Sequence, residues 1–185
     1  MDSPPWVVVL TGAPGSGKSS TARELARLLG AALLDQDSMT NPLVDIVGEL
    51  IGVRDYDDVR LAGLVRTARY ASLLSVAGDC VAAGVPAVLV APFTTERRDS
   101  DAWADLSTAI ADFGGRACMV WLRITANELS ARLQARAAER DEGKLKDITA
   151  FVKSLDLGAP VVPHLEVPAS LPPAGQATLI LGALR

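Results

Sequence analysis

The sequence predicts an α/β fold, a parallel sheet of about five strands with helices on both faces. Three observations carry this. Short apolar runs alternate with helix-period segments along all 185 residues, the pattern of repeated βαβ units. The runs are unbroken rather than alternating, as in Trp6-Val7-Val8-Val9-Leu10, which suits strands buried on both sides. The connections are short, with no low-complexity stretch and no internal repeat, so residues 1–185 read as one domain.

Strands are predicted over 6–11, 31–35, 85–91, 117–124 and 161–167. Helices are predicted over 18–29, 42–51, 57–83, 100–113, 126–140, 144–156 and 173–184. The first helix has apolar residues spaced by about four and ends at Gly30. Asn41-Pro42 reads as the start of the second, and the polar stretch Gly52–Asp58 as the break before the third. Ligands of such sheets bind beyond the carboxyl ends of the strands. Candidate residues are therefore sought just after each strand.

After the first strand comes Gly12-Ala13-Pro14-Gly15-Ser16-Gly17-Lys18-Ser19, which matches G-x-x-x-x-G-K-[ST] between a strand and a helix. The glycines let backbone N–H groups turn into a concave nest for anionic oxygens. Lys18 adds a mobile positive charge for the β- and γ-phosphates, and Ser19 offers a hydroxyl to Mg²⁺. With Ser20 in the first helical turn, Gly12–Ser20 form the expected nucleotide site, with ATP and Mg²⁺ as its ligands.

After the second strand stands Asp35-Gln36-Asp37. In extended backbone, positions i and i+2 point the same way, about 7 Å apart. Two such carboxylates facing a phosphate loop suit magnesium and hydroxyl chemistry: one holds a metal-bound water, the other accepts the proton of an attacking alcohol. The third strand runs out into Ala91-Pro92-Phe93 without an acid, which leaves Asp35 for the metal. Phe93 is a candidate wall of a substrate pocket. Arg97 or Arg98 is a candidate grip for an anionic substrate, with a solvated surface arginine as the equal alternative. Between the second and third strands, Arg54, Arg60, Arg66, Arg69 and Tyr70 lie where an insert overhangs the acceptor, and Arg54 is the substrate-binding candidate among them.

The helix from 126 carries Arg132, Arg136 and Arg140 on one stripe. The stripe is either a solvated face or a lid whose arginines neutralise a transferring phosphoryl group. Arg136 and Arg140 are the candidates, because Glu128 is expected to pair with Arg132 at i, i+4. His164, the sole histidine, is read as structural or as a neighbour of the nucleotide base.

Composition narrows the partners. A net charge of −4 and 4% aromatic residues argue against nucleic acid and anionic membranes. No apolar stretch reaches the ~20 residues of a membrane span. The first residues lack a secretory pattern, and Cys80 and Cys118 lack metal-ligand spacing, so the expected setting is cytoplasmic and the expected partner a small-molecule acceptor. No Asp-x-x-Gly follows the third strand and Asn-Lys-x-Asp is absent from the sequence, which removes support for a guanine-specific GTPase.

On Gly12–Ser19, the Asp35/Asp37 pair and the arginine-bearing helix, the chain resembles small P-loop metabolite kinases and phosphotransferases, the group of gluconate kinase, shikimate kinase and chloramphenicol phosphotransferase. The resemblance implies a three-layer P-loop NTPase fold with strand order 2-3-1-4-5 and a helical lid. It implies Asp35 near Mg²⁺, Asp37 on the acceptor hydroxyl as base, and Arg136 with Arg140 at the transferring phosphate. It also places Val161–Ser170 beside the adenine. The segments after Asp37 and around Pro92 match neither gluconate nor shikimate kinases, so the acceptor is left as a polar metabolite or antibiotic. Two alternatives are a nucleoside or nucleotide kinase and an ATP-binding switch that transfers nothing.

Overall fold

The structure, a computed structural model, describes residues 3–136 and 148–185. Five strands form one parallel sheet: β1 (Trp6–Gly12), β2 (Ala32–Asp35), β3 (Ala87–Val90), β4 (Arg116–Arg123) and β5 (Leu165–Pro168). Their order is β2-β3-β1-β4-β5, as the resemblance implies. Seven helices are present among the described residues: α1 (Lys18–Leu29), α2 (Gln36–Ile51), α3 (Val59–Ala82), α4 (Ser100–Asp112), α5 (Ala126–Arg136), α6 (Ile148–Ser154) and α7 (Pro173–Ala183). None of them is long and apolar enough to cross a membrane.

The unbroken apolar strands divide by the period-2 pleat into two cores. Val7, Val9, Ala87 and Leu89 pack on one face with Leu73 and Ala77 of α3 and Ile110 of α4. Val8, Leu10, Val88 and Val90 pack on the other with Leu25 of α1 and Ile180 of α7. This is why β1 tolerates no polar residue between Val7 and Leu10. A third cluster joins Ala13 of the glycine loop to Leu129 and Leu133 of α5 and Val152 of α6, so the loop's outer wall is helical.

Two boundaries differ from expectation in ways that matter near the site. Helix α2 begins at Gln36, not at Pro42, because Asp35 caps it: Oδ1 accepts the N–H groups of Asp37 at 3.0 Å and Ser38 at 3.4 Å. Pro42 therefore sits inside the helix. It withholds a hydrogen bond from the carbonyl of Ser38, which is exposed and open to water. The fifth strand starts at Leu165 because the N–H of Val161 is spent on the carbonyl of Arg97 and Pro163 has no N–H to give. The helix expected over 126–140 is described as far as Arg136; the rest of it, and the start of the helix expected over 144–156, lie outside the described residues.

Candidate active site

The carboxyl ends of the strands gather the glycine loop, the Asp35–Asp37 turn, the turn after β3 and the turn after β5. The loop conformation needs glycine. Gly12, Gly15 and Gly17 have φ of 153°, 83° and 101°, and a Cβ on Gly12 would meet Ser16 Oγ at 2.8 Å and the carbonyl of Leu122 at 3.1 Å. Ser16 Oγ is buried with no hydrogen-bond partner among the described residues. Lys18 Nζ lies across the loop, donating to the carbonyls of Gly12 at 2.8 Å and Ala13 at 3.0 Å. Pro14 is exposed on the loop's outer turn. The N–H of Ser20 bonds the carbonyl of Gly17 at 3.1 Å, closing the first turn of α1 and leaving the Ser20 side chain exposed.

Ser19 and Asp35 meet. Ser19 Oγ donates to Asp35 Oδ2 at 3.0 Å, so two side-chain oxygens stand together at the mouth of the loop. The geometry behind the acid pair differs from the expected extended strand. Asp35 ends β2 as a helix cap, and Asp37 lies in the first turn of α2. Asp37 is 75% exposed in its side chain, and its Oδ1 accepts from Arg69 Nη2 at 2.6 Å. Arg69 also holds Thr40 Oγ1 at 2.8 Å and Asn41 Oδ1 at 2.9 Å, which pins the start of α2 to α3.

Beside this turn is a pocket of about 230 Å³, lined by Gln36 and Val44 of α2, Leu61, Arg66, Arg69 and Tyr70 of α3, Tyr56 and Asp57 of the loop between them, and Pro92 and Thr94. The Tyr56 hydroxyl is bonded to Asp45, which pushes the phenol above its ordinary range. Tyr70 Oη accepts the N–H of Phe93 at 3.0 Å. Burial, and secondarily the charge of Glu96, raises the Tyr70 phenol, so it keeps its proton. Arg66 Nη2 donates to Thr94 Oγ1 at 3.1 Å and Thr95 Oγ1 at 3.3 Å, and its guanidinium lies 5.9 Å from the centre of the Tyr70 ring.

Three sequence-predicted substrate residues fall elsewhere. Phe93 is fully buried in the core under the pocket, edge-on to Tyr70 at 5.6 Å. Its φ of 46° is a conformation that a bulky side chain rarely adopts, held here by that packing. It supports the pocket floor rather than facing a ligand. Arg97 is 4% exposed, with guanidinium bonds to the carbonyls of Asp156 at 3.4 Å and Gly158. It is a staple inside the fold, neither a grip on substrate nor a solvated arginine, and burial lowers its pKa. Arg54 is exposed on the 52–58 loop and does not line the pocket. The i, i+3, i+4 grouping of Arg66, Arg69 and Tyr70 on one helix face was the signal to follow instead.

The arginine stripe is also reassigned. Glu128 does not pair with Arg132. It accepts the N–H and hydroxyl of Thr125, both at 2.8 Å, which holds its carboxyl below the ordinary range. Arg132 reaches the glycine loop instead: Nη1 donates to the carbonyl of Ser16 at 2.9 Å and Nη2 to that of Ala169. Arg136 ends α5, but its side chain and the whole of Arg140 lie outside the described residues. His164 immediately precedes β5. Its Nδ1 is 2.8 Å from the carbonyl of Val162 and its ring is edge-on to Trp121 at 5.7 Å, contacts within the fold itself. Gln176 of α7 anchors the turn after β5, donating to the carbonyls of Pro168 at 3.2 Å, Ala169 at 3.1 Å and Leu171 at 2.9 Å.

A parallel sheet of this order, with a glycine loop after β1 and an acid-capped helix after β2, defines a P-loop protein of the small-kinase type. Residues 7–156 match the family model described as AAA domain, and the chain belongs to that family. No curated protein matches it. Among solved structures it is similar to the APS kinase of Mycobacterium tuberculosis in complex with AMPPNP and APS, at 19% identity and a TM-score of 0.65 over 99% of each chain. It is also similar to a gluconokinase from Sinorhizobium meliloti 1021, at 20% identity and a TM-score of 0.58 over 99% of this chain and 95% of the other. The shikimate kinase of Aquifex aeolicus matches at 16% identity and a TM-score of 0.51, over 96% and 95% of the chains. Likeness at these identities shows the shared fold.

Proposed function

We propose that the chain is an ATP-dependent phosphotransferase that moves the γ-phosphoryl group to a hydroxyl of a small polar molecule, a metabolite or an antibiotic. One observation carries this reading. The single turn Asp35–Asp37 touches the glycine loop through Ser19 on one side and reaches, through Arg69, a separate pocket on the other. A nucleotide switch needs the first half of that arrangement; a transferase needs both. The kinases among its structural neighbours, one of them bound to AMPPNP, support the same choice.

The loop suits a magnesium nucleotide. It holds an orphaned buried hydroxyl on Ser16 and a cradle that a Cβ at Gly12 would fill. No group of three or more His, Cys, Asp or Glu residues among the described residues could hold a metal ion. Mg²⁺ with phosphates needs only one or two protein oxygens, and Ser19 with Asp35 would supply them. Bound there, magnesium ATP supplies the phosphoryl group and neutralises part of its charge. Lys18 and the loop amides bind the phosphates, with Lys18 exchanging two neutral carbonyls for charged oxygens. Asp37 receives the proton of the acceptor hydroxyl, and Arg69 holds its carboxylate in place. Arg136 and Arg140 are kept as the groups that stabilise the transferring phosphate. The cytoplasm remains the proposed setting. The pocket falls below the ~300 Å³ at which drug-sized sites begin, which favours a metabolite.

The test is ATP turnover with Mg²⁺ across sugars, sugar acids, aminoglycosides, nucleosides and nucleoside monophosphates, with products detected by mass. A phosphorylated product in one class supports the reading. Tight ATP binding with no product from any class overturns it in favour of a switch.

A further inference from the structure

Strand β4 has eight residues and its outer neighbour β5 has four. On one side β1 pairs with Arg116–Leu122; on the other, β5 meets only Val120–Arg123. Arg116–Met119 therefore form a sheet edge with no strand beyond it among the described residues. The backbone hydrogen bonds identify the groups left over. The N–H of Arg116 bonds the carbonyl of Pro5, and the carbonyl of Arg123 accepts the N–H of Ala169. Successive residues of a ladder alternate between its two neighbours, so even-numbered residues of β4 face β1 and odd-numbered ones face outward. Ala117 presents both its N–H and its C=O to the open side, and neither meets a partner among the described residues. Folded proteins blunt such an edge with a charge, a proline or a covering segment; Ala117-Cys118-Met119 carry no charge and no proline.

The edge opens onto a groove of about 500 Å³, lined by Trp6, Trp103, Ser107 and His164 together with Arg116–Met119. Ser107 Oγ is buried without a hydrogen-bond partner among the described residues. Arg116 is exposed, and its guanidinium stands 3.9 Å from the centre of the Trp6 ring. It pairs with no acid among the described residues. We infer that an extended peptide bearing a carboxylate binds here as an added strand on β4, in line with β5, with its carboxylate on Arg116. A peptide strand offers both an N–H and a C=O to its neighbour, which answers Ala117. A fatty carboxylate would satisfy Arg116 alone and leave both groups of Ala117 unpaired. The inference does not depend on the phosphotransferase reading: the groove lies at the first residues of β1 and β4, and the glycine loop begins at the last residue of β1.

The chain's three tryptophans report on the groove, since Trp6 and Trp103 line it and Trp121 packs against His164. The experiment follows their fluorescence while the full chain is titrated with an acetylated pentapeptide of alternating valine and threonine. The peptide is used with a free C-terminal carboxylate, as its amide, as an amide ending in glutamate, and N-methylated at alternate amides in either phase. Octanoate is the apolar-anion control. The acid should bind saturably and exceed the plain amide by about two- to fivefold, the range of an exposed ion pair, and Arg116→Gln should erase that gap. The glutamate amide separates the two sources of the carboxylate: matching the acid assigns it to a side chain, falling short assigns it to a chain terminus, and both sustain the site. Only alternate amides meet β4 in a ladder, so one methylation phase should weaken binding by about tenfold or more and the other should not. Ala117→Pro deletes an N–H that the β1 ladder does not use, so Tm should hold while binding is lost; the methylated peptides decide the same point with the protein unaltered. No saturable binding of the acid, equal affinity of both methylation phases, or octanoate binding as tightly as the acid overturns the added strand. Equal affinity of acid, glutamate amide and plain amide overturns the role of Arg116.

Discussion

Replacing Arg132 by alanine should weaken nucleotide binding by about 10- to 100-fold, although its side chain touches only backbone carbonyls. A peptide group is planar and trans, so its C=O and N–H point in opposite directions. Arg132 Nη1 holds the carbonyl of Ser16 at 2.9 Å, and this fixes the N–H of Gly17 on the other side of the same plane. Gly17 has φ of 101°, a flexible position that gains most from such a hold. Losing the hold costs the nest one oriented donor to a charged oxygen, about 1.5–3 kcal/mol, or one to two decades in Kd. Arg132 is half-buried, which favours the lower half of that range. Titration calorimetry with ATP and Mg²⁺ measures it, with Tm reporting the separate cost to the fold from the lost bond to Ala169. Arg132→Lys should fall between, since one ammonium cannot span two carbonyls in the guanidinium's fixed geometry. Glu128→Gln is the control and should leave Kd unchanged, because Glu128 caps Thr125 instead. A Kd within twofold of wild type in Arg132→Ala would refute the positioning argument. A loss beyond about a thousandfold would mean direct contact with the nucleotide.

Lys18→Ala should abolish turnover and reduce ATP affinity together; full activity in this variant would remove the phosphate-loop assignment. Asp37→Asn keeps an oxygen for Arg69 but removes the base, so kcat should fall by about 10²- to 10⁴-fold with ATP affinity unchanged, read by steady-state kinetics and calorimetry. Gly48→Ala would place a Cβ 2.6 Å from the carbonyl of Val53, where α2 turns back on itself. Overpacking of this kind costs about 1–3 kcal/mol and should appear as a lowered denaturant midpoint. Asp58 caps α3, and hydrogen bonds from Arg60, then from the N–H of Leu61, hold its carboxyl below the ordinary range. A lowered folded-state pKa stabilises above the unfolded value, near 3.9, and that contribution is lost as pH falls through the folded one. The Tm gap between wild type and Asp58→Ala should therefore be full at pH 7 and close in acid.

What the sequence made legible were features whose partners lie close by in the chain. An apolar run such as Val7–Leu10 announces a strand buried on both faces because each residue reports its own burial. The glycine loop announces itself because its eight residues supply their own geometry. The Ser19–Asp35 contact was legible at one remove, since a hydroxyl after the loop and an acid ending the next strand must lie at one end of the sheet. Arg97 was illegible because its partners are 59 and 61 residues away, and nothing in Thr94-Thr95-Glu96-Arg97-Arg98 marks the buried arginine from the exposed one. Arg132 was misread by a local rule: Glu128 stands at the right spacing, but Thr125, three residues before it, offers two donors and wins.

Three cations that a sequence reading aims at anions all rest on backbone carbonyls, and their surroundings separate their roles. Arg97 is nearly inaccessible and joins the turn after β3 to the segment after α6. Withdrawing it would strip two carbonyls of their donor inside the fold, so no ligand can recruit it. Lys18 is half-buried and holds the carbonyls of its own loop. Four freely rotating bonds let it turn from both to a charged oxygen, a stronger acceptor than either carbonyl. Arg132 lies between these cases. It is accessible enough to respond to a ligand, yet it ties the glycine loop to the turn after β5, which Gln176 holds from the other side through three carbonyls. A cation that must give up its present partners to meet an anion can do so only if the fold survives their loss. By that criterion Lys18 is the residue proposed to take the anion, Arg132 the one proposed to orient the loop, and Arg97 part of the frame.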